Sequence, residues 1–208
     1  DVIPRGEPLP DAEAQAPLLD LPRFVKTTLE DLPDDVPYLS PPEDAPHMTE
    51  SREGNLRIAI VWAGKPSHKN DRNRSMPLTQ MAPLFDLPGI EFISLQMGGP
   101  EEQIEEVGLS AVVRDVSMHI QDFGDTASLL QDIDLVITVD TSVAHLAGAL
   151  GRPVWVMLPF APDWRWMMRT DRSPWYPSMK LFRQTSPGDW QEVIHRVRSA
   201  ITFELADE

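Results

Sequence analysis

The residues with the clearest chemical potential are cations. The stretch WAGKPSHKNDRNRS (62–75) gathers Lys65, His68, Lys69, Arg72 and Arg74, in a chain of 208 residues whose formal net charge is −15. A guanidinium offers a planar fork to phosphate oxygens and an ammonium offers a point charge. Lys69, Arg72 and Arg74 together therefore suit a polyanion, and Gly64 permits close backbone approach. The same composition also suits a solvated basic loop that balances nearby carboxylates.

A second stretch, VDTSVAHLAGALGRP (139–153), runs from an apolar strand directly into a helix. Asp140 ends the strand, and Thr141 and Ser142 open the helix. A helix start carries free N–H donors and about half a positive charge, which makes it a phosphate cradle. In the plainer reading Asp140 and Thr141 only cap the helix. Ala144, Ala147, Gly148 and Ala149 allow the helix to pack tightly. His145, one turn in, either points back to the ligand edge or sits as a satisfied core histidine. In SLQMGG (94–99), Gln96 is placed to hydrogen-bond a ligand, or the two glycines simply make a turn. In GDTAS (124–128), Asp125 and Thr126 read as caps rather than ligand contacts.

The elements that must position these groups follow from the apolar pattern. Strands are expected at 56–62, 91–96, 111–116, 134–140 and 153–158, with another at 179–184. Helices are expected at 77–85, 100–108, 125–133, 141–150 and 189–201. Pro77 opens the first of these, Gly108 ends the second, and Asp125 is the expected N-cap of the third. Trp190, Val193, Ile194, Val197 and Ile201 form one stripe of the last helix. Strands alternating with helices imply βαβ units and an α/β, Rossmann-like, doubly wound parallel sheet covered on both faces. In such sheets ligands bind beyond the carboxyl ends of the strands. The basic loop, Gln96 and the helix start at 141 all fall on that edge. DID (132–134) falls on the opposite edge and reads as capping and solvated charge.

Two regions stand apart. Residues 1–53 form a Pro-rich acidic segment, with 10 of the 21 prolines before residue 50; 18–32 suits one helix or a docked arm, and 37–47 reads as a linker. Residues 54–208 form the expected Rossmann-like domain. PFAPDWRWMMRTDRSPWYP (159–177) reads as a lid or crossover, or as a surface loop pinned by buried tryptophan.

Composition excludes several classes. No cysteine is present, so disulfide frameworks and thiolate chemistry are excluded. The acidic balance argues against broad nucleic-acid binding. No stretch has the roughly 18 apolar residues of a membrane span. A cytoplasmic location is expected. Walker A, G-x-G-x-x-G, H-E-x-x-H and G-x-S-x-G motifs do not occur.

VWAGKPSHKNDRNRSMPL, SLQ, VITVDTSVAHLAGALGRPVWVMLPFAPDWRW and SPWYPSMKLFRQ together resemble the C-terminal, nucleotide-sugar-binding lobe of bacterial GT-B glycosyltransferases. The D-T-x-x-x-H start at Asp140, Thr141 and His145 is similar to ADP-heptose:lipopolysaccharide heptosyltransferases. The run at 68–75 is similar to tetratricopeptide-repeat-fused, O-GlcNAc-transferase-like proteins. The resemblance covers about residues 55–202, and 21–40 resembles the tail of the family's N-terminal lobe. It implies transfer of a sugar from a nucleotide-diphosphate donor, without metal or other cofactor, to a protein or saccharide acceptor. Lys69 and Arg74 would stabilise the leaving diphosphate. Gly64, Asn70, Arg72, Gln96, Asp140, Thr141, Ser142, Val143 and His145 would contact the donor. The family's general base lies on the other lobe, so none is assigned. The chain is expected to be a C-terminal fragment or a lone lobe, with little turnover by itself. A non-catalytic binding or interaction module and a nucleotide-sugar epimerase lobe are the alternative readings.

Overall fold

The computed structural model describes residues 3, 4, 6–33, 35–43 and 55–206. The chain divides into two compact units, Asp1–Pro33 and Asp34–Glu208. The expected boundary at 53/54 and residues 44–47 of the expected linker lie outside the described residues. Residues 35–43, expected to belong with the N-terminal segment, belong to the second unit.

The first unit is not the single helix that 18–32 suggested. It has two short 3-10 turns, Leu18–Asp20 and Leu29–Asp31, and one helical turn, α1 (Leu21–Phe24). Pro22 is tolerated only in the first turn of a helix. A new N-terminus forms at Thr28, where the Thr28 and Asp31 side chains make a reciprocal capping box.

The second unit is built on one parallel sheet. Its strands are β1 (Leu56–Val61), β2 (Ile90–Ser94), β3 (Val113–Asp115), β4 (Leu135–Val139), β5 (Val154–Leu158) and β6 (Met179–Arg183). They lie in the order β3-β2-β1-β4-β5-β6, every neighbouring pair parallel. The order reverses between β1 and β4, the switch point at which doubly wound sheets bind ligands. The helices are α2 (Asp71–Arg74), α3 (Gln103–Glu106), α4 (Phe123–Leu129), α5 (Ser142–Ala149) and α6 (Trp190–Ala206). Residues 78–84, expected as an α-helix, form a 3-10 helix with Pro83 inside it. Proline removes an α-helical hydrogen bond, so the tighter winding prevails.

Strand alternation divides the core in two. Ile58, Ile60, Ile137, Val139 and Met157 pack beneath α6 and the 78–84 turn. Ala59, Val61, Val136, Val154 and Val156 face α4 and α5. Both faces are covered, which explains strands without polar alternation. α6 extends to 206, beyond the expected end at 201. At the opposite edge, Asp134 accepts the Arg57 N–H at 2.8 Å, so this carboxylate fastens β4 to β1.

α5 lies close to its neighbours because it is made of small residues. Ala144, Ala147, Gly148 and Ala149 are all buried. A Cβ at Gly148 would stand 2.5 Å from Cγ of Tyr176. Tyr38 and Leu39 donate their N–H groups to the Ala149 carbonyl, at 3.0 and 3.3 Å, and close the helix's C-terminal end. Gly148→Ala is therefore expected to cost about 2–3 kcal/mol through overpacking. Urea unfolding measures it, and an unchanged midpoint would show that the Tyr176 ring yields freely.

Candidate nucleotide cleft

A cleft of about 820 Å³ opens at the carboxyl ends of β1, β2 and β4. Gly64, Lys65, Ser67 and Arg74 line one side, and Thr141, Ser142 and Val143 line the other. Leu95, Met97, Ile120 and Phe123 make an apolar end. A second cavity of about 800 Å³ is lined by Glu91, Glu101, Glu102, Glu105 and Asp115, with only Arg114 opposing them. That acidic wall repels a polyanion, so the first cleft is the anion-compatible one.

The cation loop is folded on itself rather than splayed into solvent. Met76 N–H donates to the Trp62 carbonyl at 3.0 Å and closes the loop. Ser75 Oγ accepts the Gly64 N–H at 2.9 Å and donates to Asp71 at 2.9 Å. α2 then delivers Arg74 over Gly64, where any Cβ would collide with the guanidinium. Arg74 donates to the Asp140 carbonyl at 2.8 Å and pairs with Asp71 at 3.4 Å. Its side chain is only 12% exposed, so its geometry is set before any ligand arrives. Lys69 and Arg72 are exposed and do not line the cleft. Asn70 accepts from Asn73 at 2.6 Å and serves the loop itself. Lys65, which the motif reading passed over in favour of Lys69, lines the cleft instead. Its one signal was its place next to Gly64 at the strand end.

Across the cleft, α5 presents an uncapped start. Thr138 spends its hydroxyl proton on the Val139 carbonyl at 2.8 Å. Thr141 must therefore donate to Thr138 Oγ1, 2.9 Å away. The Thr141 side chain does not cap the helix, so it leaves the first N–H groups of α5 without a side-chain cap, and Ser142 and Val143 line the cleft. α4 is different. Its N-cap is Asp122, not the expected Asp125, and that carboxylate accepts from Gly124 and Asp125. The extended backbone at Asp122 starts the helix at Phe123, and Asp125 accepts the Gln121 N–H at 2.8 Å. The α4 start is thus already neutralised, whereas the α5 start retains its positive end.

Gln96 lines the cleft, but its amide is fully engaged. Oε1 accepts from Trp62 and Ala63 N–H groups at 3.1 and 2.9 Å. Nε2 donates to the Ala63 and Met97 carbonyls, each at 3.0 Å. Gln96 fastens the end of β2 to the end of β1 and has no hydrogen bond to spare for a ligand. Gln96→Ala would strand the buried Trp62 and Ala63 groups and is expected to lower stability by about 3 kcal/mol. A loss below about 1 kcal/mol in denaturant titration would contradict this role.

Asp140 lends its backbone carbonyl to Arg74, and its side chain is not part of the cleft lining. His145 turns away from the cleft. Nδ1 lies 3.2 Å from the Tyr176 hydroxyl, and the ring stacks on Trp166 at 5.1 Å and 19°. The residue is half-buried rather than part of the core. Burial lowers its pKa, the negative charge of Asp140 opposes this, and Arg165 adds to the lowering. Burial, and then a hydrogen bond with Tyr38, push the Tyr176 hydroxyl up. Among the described residues, no group of three or more His, Asp or Glu side chains is placed to hold a metal, and no helix is long and apolar enough to cross a membrane.

The His145 shift has a definite sign. Above its unfolded pKa of about 6.5, both folded and unfolded forms are neutral and its contribution is complete. As pH falls below that value the unfolded chain takes up the proton first, so stability declines until the folded pKa is passed. Wild type is expected to lose stability as pH falls below about 6.5, relative to His145→Gln. Parallel stability curves for the two proteins would remove His145 from this dependence.

The comparisons concern this same edge. Residues 120–157 match Glycosyltransferase family 9 (heptosyltransferase); this segment runs from the apolar wall through β4 and α5 into β5. Protein FlbA of Caulobacter vibrioides is 30% identical over 149 residues, covering 70% of this chain and 25% of FlbA. E. coli ADP-heptose LPS heptosyltransferase II superposes with a TM-score of 0.52 at 15% identity, over 73% of this chain and 48% of that one. E. coli heptosyltransferase WaaC, solved with ADP, gives 0.51 at 17% identity, over 74% of this chain and 46% of WaaC. The chain thus spans a quarter of FlbA and just under half of each enzyme. Over that share, it has the α/β Rossmann-like fold of one lobe of the GT-B heptosyltransferases.

Proposed function

We propose that this chain is the donor-binding lobe of a GT-B glycosyltransferase, taking a nucleotide-diphosphate sugar. The observation that carries this is the opposition, across one cleft, of Arg74 and Lys65 to the uncapped α5 start. Two positive groups face each other where a diphosphate would lie, and an apolar wall of exposed Met97 and Phe123 with half-buried Ile120 stands at one end for a nucleobase. The family 9 match on 120–157 and the heptosyltransferase fold support the same reading. The E. coli WaaC structure contains ADP.

In this mechanism an acceptor hydroxyl oxygen bonds the donor's anomeric carbon and gives its proton to a base, while the anomeric carbon–oxygen bond to the phosphate breaks and its electron pair stays on the departing nucleoside diphosphate. Arg74, held by Asp140, and the N–H groups of Ser142 and Val143 are preorganised to receive that charge. Lys65 adds a mobile ammonium. Protein charge supplies the stabilisation, so this scheme assigns no role to a metal. Lys69 and Arg72 contribute a general field at the loop surface. The acceptor is a protein or a saccharide, and the general base is assigned to the second lobe of the GT-B arrangement. Association with tetratricopeptide repeats and a cytoplasmic location belong to the same proposal.

The test is calorimetry with ADP, GDP and UDP. One of them is expected to bind, and Arg74→Ala or Lys65→Ala to weaken it by about tenfold each, the equivalent of about 1.4 kcal/mol. Lys69→Ala is expected to change the affinity by less than about threefold, as suits an exposed charge screened by salt. No binding of any of the three at millimolar concentration would sink the proposal.

A further inference from the structure

The segment after β5 holds a tryptophan that the nucleotide cleft does not use. We infer that Trp164 is the platform for the sugar of the donor; this rests on the nucleotide-sugar reading above. The sheet order places the relevant groups in sequence along one edge. The apolar wall stands at β2 and the loop before α4, the cation loop at β1, and the uncapped helix start at β4. β5 is the next strand in the sheet, with neighbours about 4.8 Å apart. A nucleotide-diphosphate sugar has the same order of parts: base, diphosphate, sugar. The third part falls where the chain leaves β5.

The 3-10 turn Trp164–Trp166 is anchored there by its far end. Trp166 is fully buried and stacks on His145, in the first turns of α5. Trp164 stands at the other end of the turn and remains 64% exposed. It is nonetheless held. The Arg165 guanidinium carbon lies 5.7 Å from its ring centroid. The edge of Trp175 meets it at 6.2 Å and 84°. Trp175 is itself fixed by its Nε1 donating to the Arg165 carbonyl at 2.9 Å. Asp163 accepts the Arg165 N–H at 3.0 Å and pairs with its guanidinium at 3.4 Å. The result is a preoriented indole with a guanidinium over its ring and a carboxylate paired to that guanidinium. A pyranose has C–H groups on one face and hydroxyls around its rim. The apolar ring and its charged neighbours match those two parts.

The test compares a bare nucleotide with its sugar conjugates, using ADP with ADP-glucose, UDP with UDP-N-acetylglucosamine and GDP with GDP-mannose. The wild-type chain is expected to bind one conjugate about fivefold more tightly than its parent nucleotide, and Trp164→Ala to erase that gain while leaving the parent's affinity unchanged. Trp164→Phe is expected to keep most of the gain but lose the change in tryptophan emission that the conjugate, and not the parent, produces. If the parent nucleotide binds but no conjugate gains over it, or if Trp164→Ala retains the gain, the platform is refuted. Failure of every nucleotide to bind defeats the donor-lobe proposal itself, which is a different result.

Discussion

The hydrogen bond from the Arg74 guanidinium to the Asp140 carbonyl joins two parts of the chain that are 66 residues apart. It fastens the basic loop after β1 to the turn between β4 and α5, so the two positive sides of the cleft are held as one body. The bond exists because Gly64 has no Cβ, and the guanidinium lies in the space such an atom would take. Asp71 holds the same guanidinium and also accepts from Ser75, which in turn accepts the Gly64 N–H. Glycine, arginine, aspartate and serine thus form one closed set of contacts, and the cleft geometry follows from it.

The strand ends beneath this set are equally constrained. Gln96 joins the ends of β1 and β2 with three hydrogen bonds, adds a fourth to Met97, and keeps the Trp62–Ala63 backbone satisfied where the ladder stops. At β4 the Thr138–Thr141 hydroxyl pair does the opposite service for the helix. It draws the Thr141 side chain away from α5 and leaves the helix start uncapped. One polar side chain satisfies backbone groups and another leaves them available, and the anion-compatible side of the cleft results from both. The chain as a whole is acidic, at −15, but charge acts over about 10 Å or less at physiological salt. The local arrangement therefore governs what the cleft attracts.

Much of the architecture was legible before any coordinates. Predominantly apolar runs such as LRIAIVW and DLVITVD have few alternatives to buried strands, and their spacing leaves room for one crossover each. The small residues of α5 announced close packing. Other features were not legible because they depend on competition between nearby groups. Asp122 and Asp125 are both good caps, and only the backbone angle at Asp122 decides between them. Pro83 permits an apparently helical segment to wind as a 3-10 helix instead. Residues 18–32 have the apolar content of one helix but break at α1 and again at Thr28.

The sequence by itself determined the sheet, its ligand edge, and the two chain segments that meet there, because periodicity and composition act locally along the chain. Only the tertiary structure decided which side chains of those segments reach the cleft. Lys65, Lys69, Arg72 and Arg74 are equivalent as charges in a string, yet Arg74 is pinned over Gly64, Lys65 lines the cleft, and Lys69 and Arg72 face solvent. Gln96 and His145 have the chemistry of ligand contacts, but the Gln96 amide is already engaged with Trp62, Ala63 and Met97, and His145 Nδ1 lies against the Tyr176 hydroxyl. A side chain's partners are set by packing between distant segments, and spacing along one segment carries no record of them.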